Sequence, residues 1–268
     1  MKYGLIAGSG RFPILALESA RKAGDEVVVF AIEEEASRDV EPLAARCYWI
    51  SLGALSKLID LCHREGVTEI MMAGQVRHVS IFSAITPDWR LLKLLAALPG
   101  KNTGSLIGGV AKVLADEGIE LVDSTRLLKS LVAGEGILTR RKPTREELAD
   151  IEYGRRVAHA LAGFDIGQSV AIADRACVAV EAMEGTDAML QRAASLANGK
   201  RLTLVKVSTG RRHMLFDVPV AGPATVETMR ATHTTALALD AGRTLLLDRE
   251  QMLAAADAAG ISIQALTP

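Results

Sequence analysis

Residues 1–120 repeat one plan: a short apolar run, a helix-like stretch, a glycine, then another apolar run. Residues 4–7 read as a strand and 13–22 as a helix that Gly24 stops, and 27–32 form the next strand. Residues 55–64 are helical, Gly66 stops them, and 67–73 are a strand. Residues 106–116 are helical, Gly118 stops them, and 119–122 are a strand. Glycine just past a helix end accepts the left-handed conformation that closes the last turn. Strands written as unbroken β-rich runs between helices indicate a parallel sheet covered on both faces. In such an α/β fold, ligands sit outside the carboxyl ends of the strands.

The plan stops near residue 134. A domain boundary is expected between Ala133 and Pro143, where Gly134 and Gly136 loosen the chain and Arg140-Arg141-Lys142 is solvated. The expected division is residues 1–134, a linker at 135–143, and residues 144–268. Thr144 and Glu147 have the spacing of a capping box, opening a helix that runs to about residue 161. Apolar runs at 169–173 and 177–183 are separated by Asp174-Arg175, which suits a hairpin or tight turn. A helix at 187–196 and a strand at 202–207 follow. Gly222-Pro223 opens another helix, with proline at the tolerated first position. Strands at 236–239 and 244–247 precede a last helix, which Asp248 and Gln251 cap and Gly260 ends. This is a second α/β (or α+β) domain, with no sequence repeat of the first.

A chain of 268 residues buries roughly three quarters of its unfolded surface and needs no covalent staples. A net charge of −1 argues against nucleic acid as a partner, and ten aromatic residues provide few stacking platforms. Cys47, Cys62 and Cys177 are an odd, scattered set that fits a reducing compartment better than a disulfide framework. The chain enters a strand directly after Met1-Lys2, without a signal-peptide plan. No apolar run approaches the roughly 20 residues that span a bilayer. The expectation is a cytoplasmic protein, with peripheral contact to the inner membrane left open.

The candidate chemistry lies at segment ends. Gly8-Ser9-Gly10 follows the first strand and precedes a helix, a context that fits either a phosphate-facing turn or a plain tight turn. Pro13 stands where a dinucleotide fingerprint wants glycine or alanine, and no lysine follows to make a P-loop. Gly74-Gln75 ends the third strand of the pattern, as a ligand loop or a solvated one. Asp165-Ile166-Gly167-Gln168 precedes a strand; glycine permits close backbone approach, and Gln168 offers both donor and acceptor.

In Glu184-Gly185-Thr186-Asp187, Thr186 reads as a helix N-cap and Asp187 as a complement to the helix dipole, with Glu184 making the site unusually acidic. Lys206 ends a strand and can offset phosphate charge. Asp217, between Phe216 and Val218-Pro219, is a metal ligand, a general base or a surface turn carboxylate. The histidines at 63, 78, 159, 213 and 233 have no zinc-ligand spacing, and no Gly-x-Ser-x-Gly elbow appears.

In order, these clusters resemble the UDP-2,3-diacylglucosamine pyrophosphatase family of lipid A biosynthesis, of the two-domain type that is distinct from the calcineurin-like enzyme. The resemblance runs from Gly4-Leu-Ile-Ala-Gly-Ser-Gly10 with Pro13, through Ala73-Gly74-x-Val76 and Pro87-Asp88. It continues through Asp165-Ile-Gly-Gln168 and Val180-Glu-Ala-Met-Glu-Gly-Thr-Asp-Ala-Met189 to Asp217-Val-Pro219 with Gly222-Pro223. It implies a Rossmann-like N-terminal domain and a separate C-terminal α/β domain, with a nucleotide-linked glycolipid held between them. It implies Mg²⁺-dependent hydrolysis to UMP and 2,3-diacylglucosamine 1-phosphate, and a homodimer. The family's critical aspartate falls on Asp217, with Asp187 as the expected partner on the cation and Lys206 offsetting charge. Its substrate-contact segments fall on Gly8, Ser9, Gly10, Gly74, Gln75, Ile166, Gly167, Gln168 and Thr186.

The chain departs from the family pattern in three places. Asn102-Thr103-Gly104 replaces a frequent Gly-Asp-Asp and lacks its two carboxylates. Leu215 replaces an arginine common two residues before the critical aspartate, and Gln75 replaces lysine or asparagine. Two other readings are open to this sequence. An NAD(P)-dependent oxidoreductase would use the glycine turn with Glu33 on a ribose, against which Pro13 counts. A non-catalytic nucleotide-lipid sensor would bind without releasing UMP.

Overall fold

The computed structural model describes residues 1–74, 76, 86–98, 103–128, 131–164, 166–208 and 218–268. Gln75, Asp165, Asp217, the arginines at 211 and 212, Leu215 and Asn102 lie outside the described residues. Residue contacts divide the chain into two compact units, Met1–Leu128 and Lys129–Pro268.

The first unit contains β1 (Lys2–Ala7), α1 (Phe12–Ala23), β2 (Glu26–Ile32), β3 (Arg46–Ile50), α2 (Leu55–Glu65), β4 (Glu69–Ala73), α3 (Trp89–Ala97), α4 (Thr103–Asp116) and β5 (Glu120–Leu121). Short 3-10 turns occupy Arg38–Leu43 and Ser124–Leu127. Among the described residues, these strands form one parallel sheet in the order β3-β2-β1-β4-β5. The order follows from the sequence: β1 and β2 read as unbroken apolar runs and occupy the interior, where Leu5, Val28, Val29, Phe30 and Ala31 are fully buried. The chain runs outward from β1 through β2 to β3, then returns to β4 on the other side of β1. That reversal places the carboxyl ends of β1 and β4 side by side, at the switch point where such sheets accept ligands. The parallel, Rossmann-like N-terminal sheet is therefore as expected. The strand β3 and the helix α3 are additions to the sequence reading.

The second unit contains β6 (Gly136–Ile137), α5 (Arg145–Ala162), β7 (Ser169–Ala173), β8 (Ala176–Val180), α6 (Thr186–Leu196), β9 (Leu202–Lys206), β10 (Val220–Ala221), α7 (Pro223–Ala231), β11 (Thr234–Asp240), β12 (Leu245–Leu246), α8 (Arg249–Ala258) and β13 (Ser262–Leu266). Six of the described strands pair in the order β6-β13-β11-β9-β7-β8. The strands β9, β11 and β13 are parallel, while β6, β7 and β8 run antiparallel to their neighbours. The mixed sheet satisfies the α+β form of the expectation.

Helix α5 covers one face, over Val170, Ile172, Val205, Val207 and Ala238. The opposite face packs Met189, Leu190, Leu204, Met229, Leu237, Met252 and Ile263. The capping box at Thr144 and Glu147 is formed in full. The β7–β8 hairpin turns at Asp174-Arg175, both with positive φ, the geometry that matches strand twist in a two-residue turn. The expected cap at Asp248 is different: the residue precedes α8 in a left-handed conformation, and its side chain makes no capping hydrogen bond.

Candidate functional site

In the first unit, the end of β1 leads into Gly8-Ser9-Gly10, and the Gly8 N–H donates to the Ala73 carbonyl at 2.8 Å. Gly74 has φ +91°, and a Cβ there would lie 2.5 Å from the Ser9 carbonyl oxygen and 2.8 Å from the Gly8 carbonyl carbon. Only a residue without a side chain lets the β4 end close on the β1 turn. Sequence reading named both segments from their strand-end positions, and the fold brings them into contact. Helix α1 begins directly after the turn, with proline in its first turn and no side chain capping its N-terminus. Its first N–H groups and dipole favour an anion there. Glu33, the ribose ligand of the oxidoreductase reading, is exposed just past β2.

In the second unit, the antiparallel register of β7 on β9 pairs Ser169 with Lys206. Both then meet the first residue of α6. The Lys206 Nζ donates to Thr186 Oγ1 at 2.8 Å and to Ser169 Oγ at 3.4 Å, and the two hydroxyl oxygens are 3.3 Å apart. Thr186 donates in turn to Glu181 Oε1 at 3.0 Å. Lys206 is 8% exposed. An ammonium so far from water requires strong hydrogen bonds and nearby negative charge.

Thr186 was expected to cap α6. Instead Gly185 holds the cap position, and Thr186 is the first helical residue, its hydroxyl engaged by the lysine and the glutamate. Glu184, expected to make the site unusually acidic, pairs with Arg192 and accepts from the Ala182 N–H. The hydrogen bond from Arg192, with that backbone support, holds its carboxyl below the usual range.

The loop 166–168 closes on this cluster. Gly167 has φ +53°, and a Cβ there would be 1.9 Å from the Glu181 carbonyl oxygen. The Gln168 carbonyl accepts from the Val207 N–H at 2.8 Å, which leaves the side-chain amide outside the backbone ladder. Ile166 is exposed. Asp187 is exposed in the first turn of α6. The structure thus gathers Gly167, Gln168, Thr186 and Lys206, which the sequence singles out, with Ser169 and Glu181, which it does not. Ser169 directly follows Gln168, and Glu181 follows the apolar run of β8. No group of three or more His, Cys, Asp or Glu side chains able to hold a metal occurs among the described residues.

These features define a class: a two-unit α/β protein whose strand ends carry a glycine turn in one unit and a buried lysine–hydroxyl–carboxylate cluster in the other. Within that class, the chain belongs to the LpxI family. Residues 2–131 match the LpxI N-terminal domain and residues 134–264 the LpxI C-terminal domain. It is similar to the UDP-2,3-diacylglucosamine pyrophosphatase LpxI of Caulobacter vibrioides, at 30% identity over 100% of this chain and 98% of that protein. Solved structures show fainter likeness. A phosphoribosylglycinamide synthetase from Anaerococcus prevotii has a TM-score of 0.26 at 11% identity, over 64% of this chain and 31% of that one. A biotin carboxylase complex from Campylobacter jejuni has a TM-score of 0.28 at 12% identity, over 72% of this chain and 42% of that one. Likeness at that level carries no argument about fold or activity.

Proposed function

We propose that the protein hydrolyses the pyrophosphate bond of UDP-2,3-diacylglucosamine, releasing UMP and 2,3-diacylglucosamine 1-phosphate for lipid A biosynthesis. Membership of the LpxI family supports the reaction class. The observation that carries the reading for this chain is the buried Lys206 ammonium, hydrogen-bonded through Thr186 to Glu181 at a strand end. A fixed cation in a water-poor place stabilises negative charge developing on a phosphate far better than a solvated one. Phosphoryl transfer needs little covalent chemistry from a protein and depends on placement and electrostatics.

In this reading water attacks one phosphorus in line, and the bridging oxygen leaves with the other phosphate. Asp217 orients the attacking water. Lys206 offsets charge on the phosphate oxygens, and the Gln168 amide donates to the diphosphate. The turn Gly8-Ser9-Gly10, with Gly74 behind it, faces the nucleotide or its phosphates. Mg²⁺ is the proposed cation, with Asp187 and Asp217 as its protein ligands. The exposed Asp187 carboxylate suits a hard cation that takes one or two carboxylates and fills its remaining positions with water and substrate phosphate. When bound, Mg²⁺ would neutralise charge on the phosphate oxygens.

The lipid part of the substrate has apolar surface to meet. Phe164 is 76% exposed, Met183 78% and Ile166 42%, on the two segments that touch at Gly167 and Glu181. No described helix is long and apolar enough to cross a membrane. We propose a cytoplasmic protein that touches the inner membrane peripherally through these exposed apolar side chains. Incubation of purified protein with UDP-2,3-diacylglucosamine, with and without Mg²⁺, tests the reaction. UMP detected by mass spectrometry only with the metal is expected, and its absence under both conditions overturns the proposal.

A further inference from the structure

We propose that Glu181 is a positioning residue that fixes the orientation of the Lys206 ammonium through the Thr186 hydroxyl. The inference rests on the hydrolytic reading above and deepens it. The directions of the hydrogen bonds follow from one chemical fact: an ionised carboxylate only accepts. The single Thr186 proton is therefore committed to Glu181 Oε1 at 3.0 Å. With that proton placed, the Thr186 oxygen accepts from Lys206 at 2.8 Å and from Ser169 at 3.3 Å. The Ser169 oxygen, its own proton now assigned, accepts a second Lys206 N–H at 3.4 Å.

Two of the three ammonium hydrogens are thus held. The third has no partner among the described residues and remains for a ligand oxygen. Glu181 also supplies negative charge one hydroxyl away from an ammonium that is 8% exposed. Its second oxygen, Oε2, is buried without a hydrogen-bond partner among the described residues. A buried unpaired carboxylate oxygen is costly, and a charge role at the cluster accounts for its retention. Thr186, which by sequence faces the diphosphate, is reassigned as the link between the carboxylate and the lysine. It has no second proton to give a phosphate.

The test compares UMP release by the wild type, Glu181→Gln, Thr186→Val, Thr186→Ser and the double variant Glu181→Gln/Thr186→Val. Thermal unfolding of each confirms that it folds. Glu181→Gln and Thr186→Val should each lower kcat about 10- to 100-fold with KM changed less than about threefold, the pattern for groups that align rather than bind. Thr186→Ser should restore most of the Thr186→Val loss. The double variant should be no slower than Thr186→Val, because the effect of Glu181 passes through Thr186. Losses that multiply, or wild-type kcat in Glu181→Gln, overturn the proposal.

A second readout needs no substrate. In protein labelled with ¹⁵N-lysine, the hydrogens of the Lys206 ammonium should exchange with water more slowly than those of exposed lysines, and faster in Glu181→Gln. Unchanged exchange in Glu181→Gln overturns the positioning role. If the wild type releases no UMP, the hydrolytic reading falls, and the exchange measurement still decides the role of Glu181.

Discussion

At the scale of single residues, the tightest constraint on the first unit is Gly74. A methyl group there would press against the backbone of Ser9 and Gly8 in a conformation that side chains rarely adopt. Neither obstacle is the tip of a flexible side chain, so the strain cannot be relieved locally. Gly74→Ala should cost about 1–3 kcal/mol of stability, read as a lower midpoint in thermal or urea unfolding. Cys62 provides a second residue-scale test. It is fully buried, and burial pushes its thiol pKa up to about 12. Iodoacetamide at pH 8 should leave Cys62 unmodified in native protein and alkylate it after unfolding, with peptide mass spectrometry as the readout. The site was legible in sequence where backbone placement determines it: glycines after strands converge because parallel strand ends converge. Ser169 and Glu181 were not legible. A serine opening a strand and a glutamate closing one look like ordinary edge residues until the β7–β9 register sets Ser169 opposite Lys206.

At the scale of elements, α5 is anchored by a charge pair. Arg141 donates two hydrogen bonds to Glu147, at 2.9 and 2.8 Å, and Glu147 also accepts from Thr144 N–H and the Thr235 hydroxyl. Burial alone would raise the Glu147 pKa, but these donors outweigh it and hold the carboxyl below its usual range. A depressed pKa contributes stability above the unfolded value of about 4.3, and that contribution is lost as pH falls through the folded value. Stability of the wild type should therefore drop below about pH 4. Glu147→Gln should lower stability by about 3 kcal/mol at pH 7 and flatten the acid limb, measured by urea titration across pH. Element types were readable where patterns were long and capped, as in α5. The strand β3 was not, because Arg46-Cys47-Tyr48-Trp49-Ile50 is an edge strand with polar and half-exposed positions that break the apolar run. The strand β13 was hidden in the same way by Ser262 and Gln264.

At the scale of the whole molecule, each unit carries its own core. Leu5, Leu17, Phe30, Ile59, Ile70, Met71 and Leu114 fill the first, while two clusters on opposite faces of the mixed sheet fill the second. Separate cores predict two calorimetric transitions. Gly74→Ala should shift one and Glu147→Gln the other. A single transition moved by both variants would show that the units unfold as one. The fold class was accessible from sequence because alternation of strands and helices is a repeated signal. The mixed order of the second sheet was not, since pairing direction across distant segments leaves no local trace.

The spent hydroxyl proton of Thr186 has a consequence for inhibitor chemistry. If Thr186 is committed to Glu181 as proposed, a compound that aims an acceptor at that side chain would find nothing to bind, while an anionic or carbonyl oxygen set against the lysine hydrogen that has no partner among the described residues would meet a donor. Hydroxyl count is therefore a poor guide to this surface, and ligand selection should begin from the direction in which each hydrogen points.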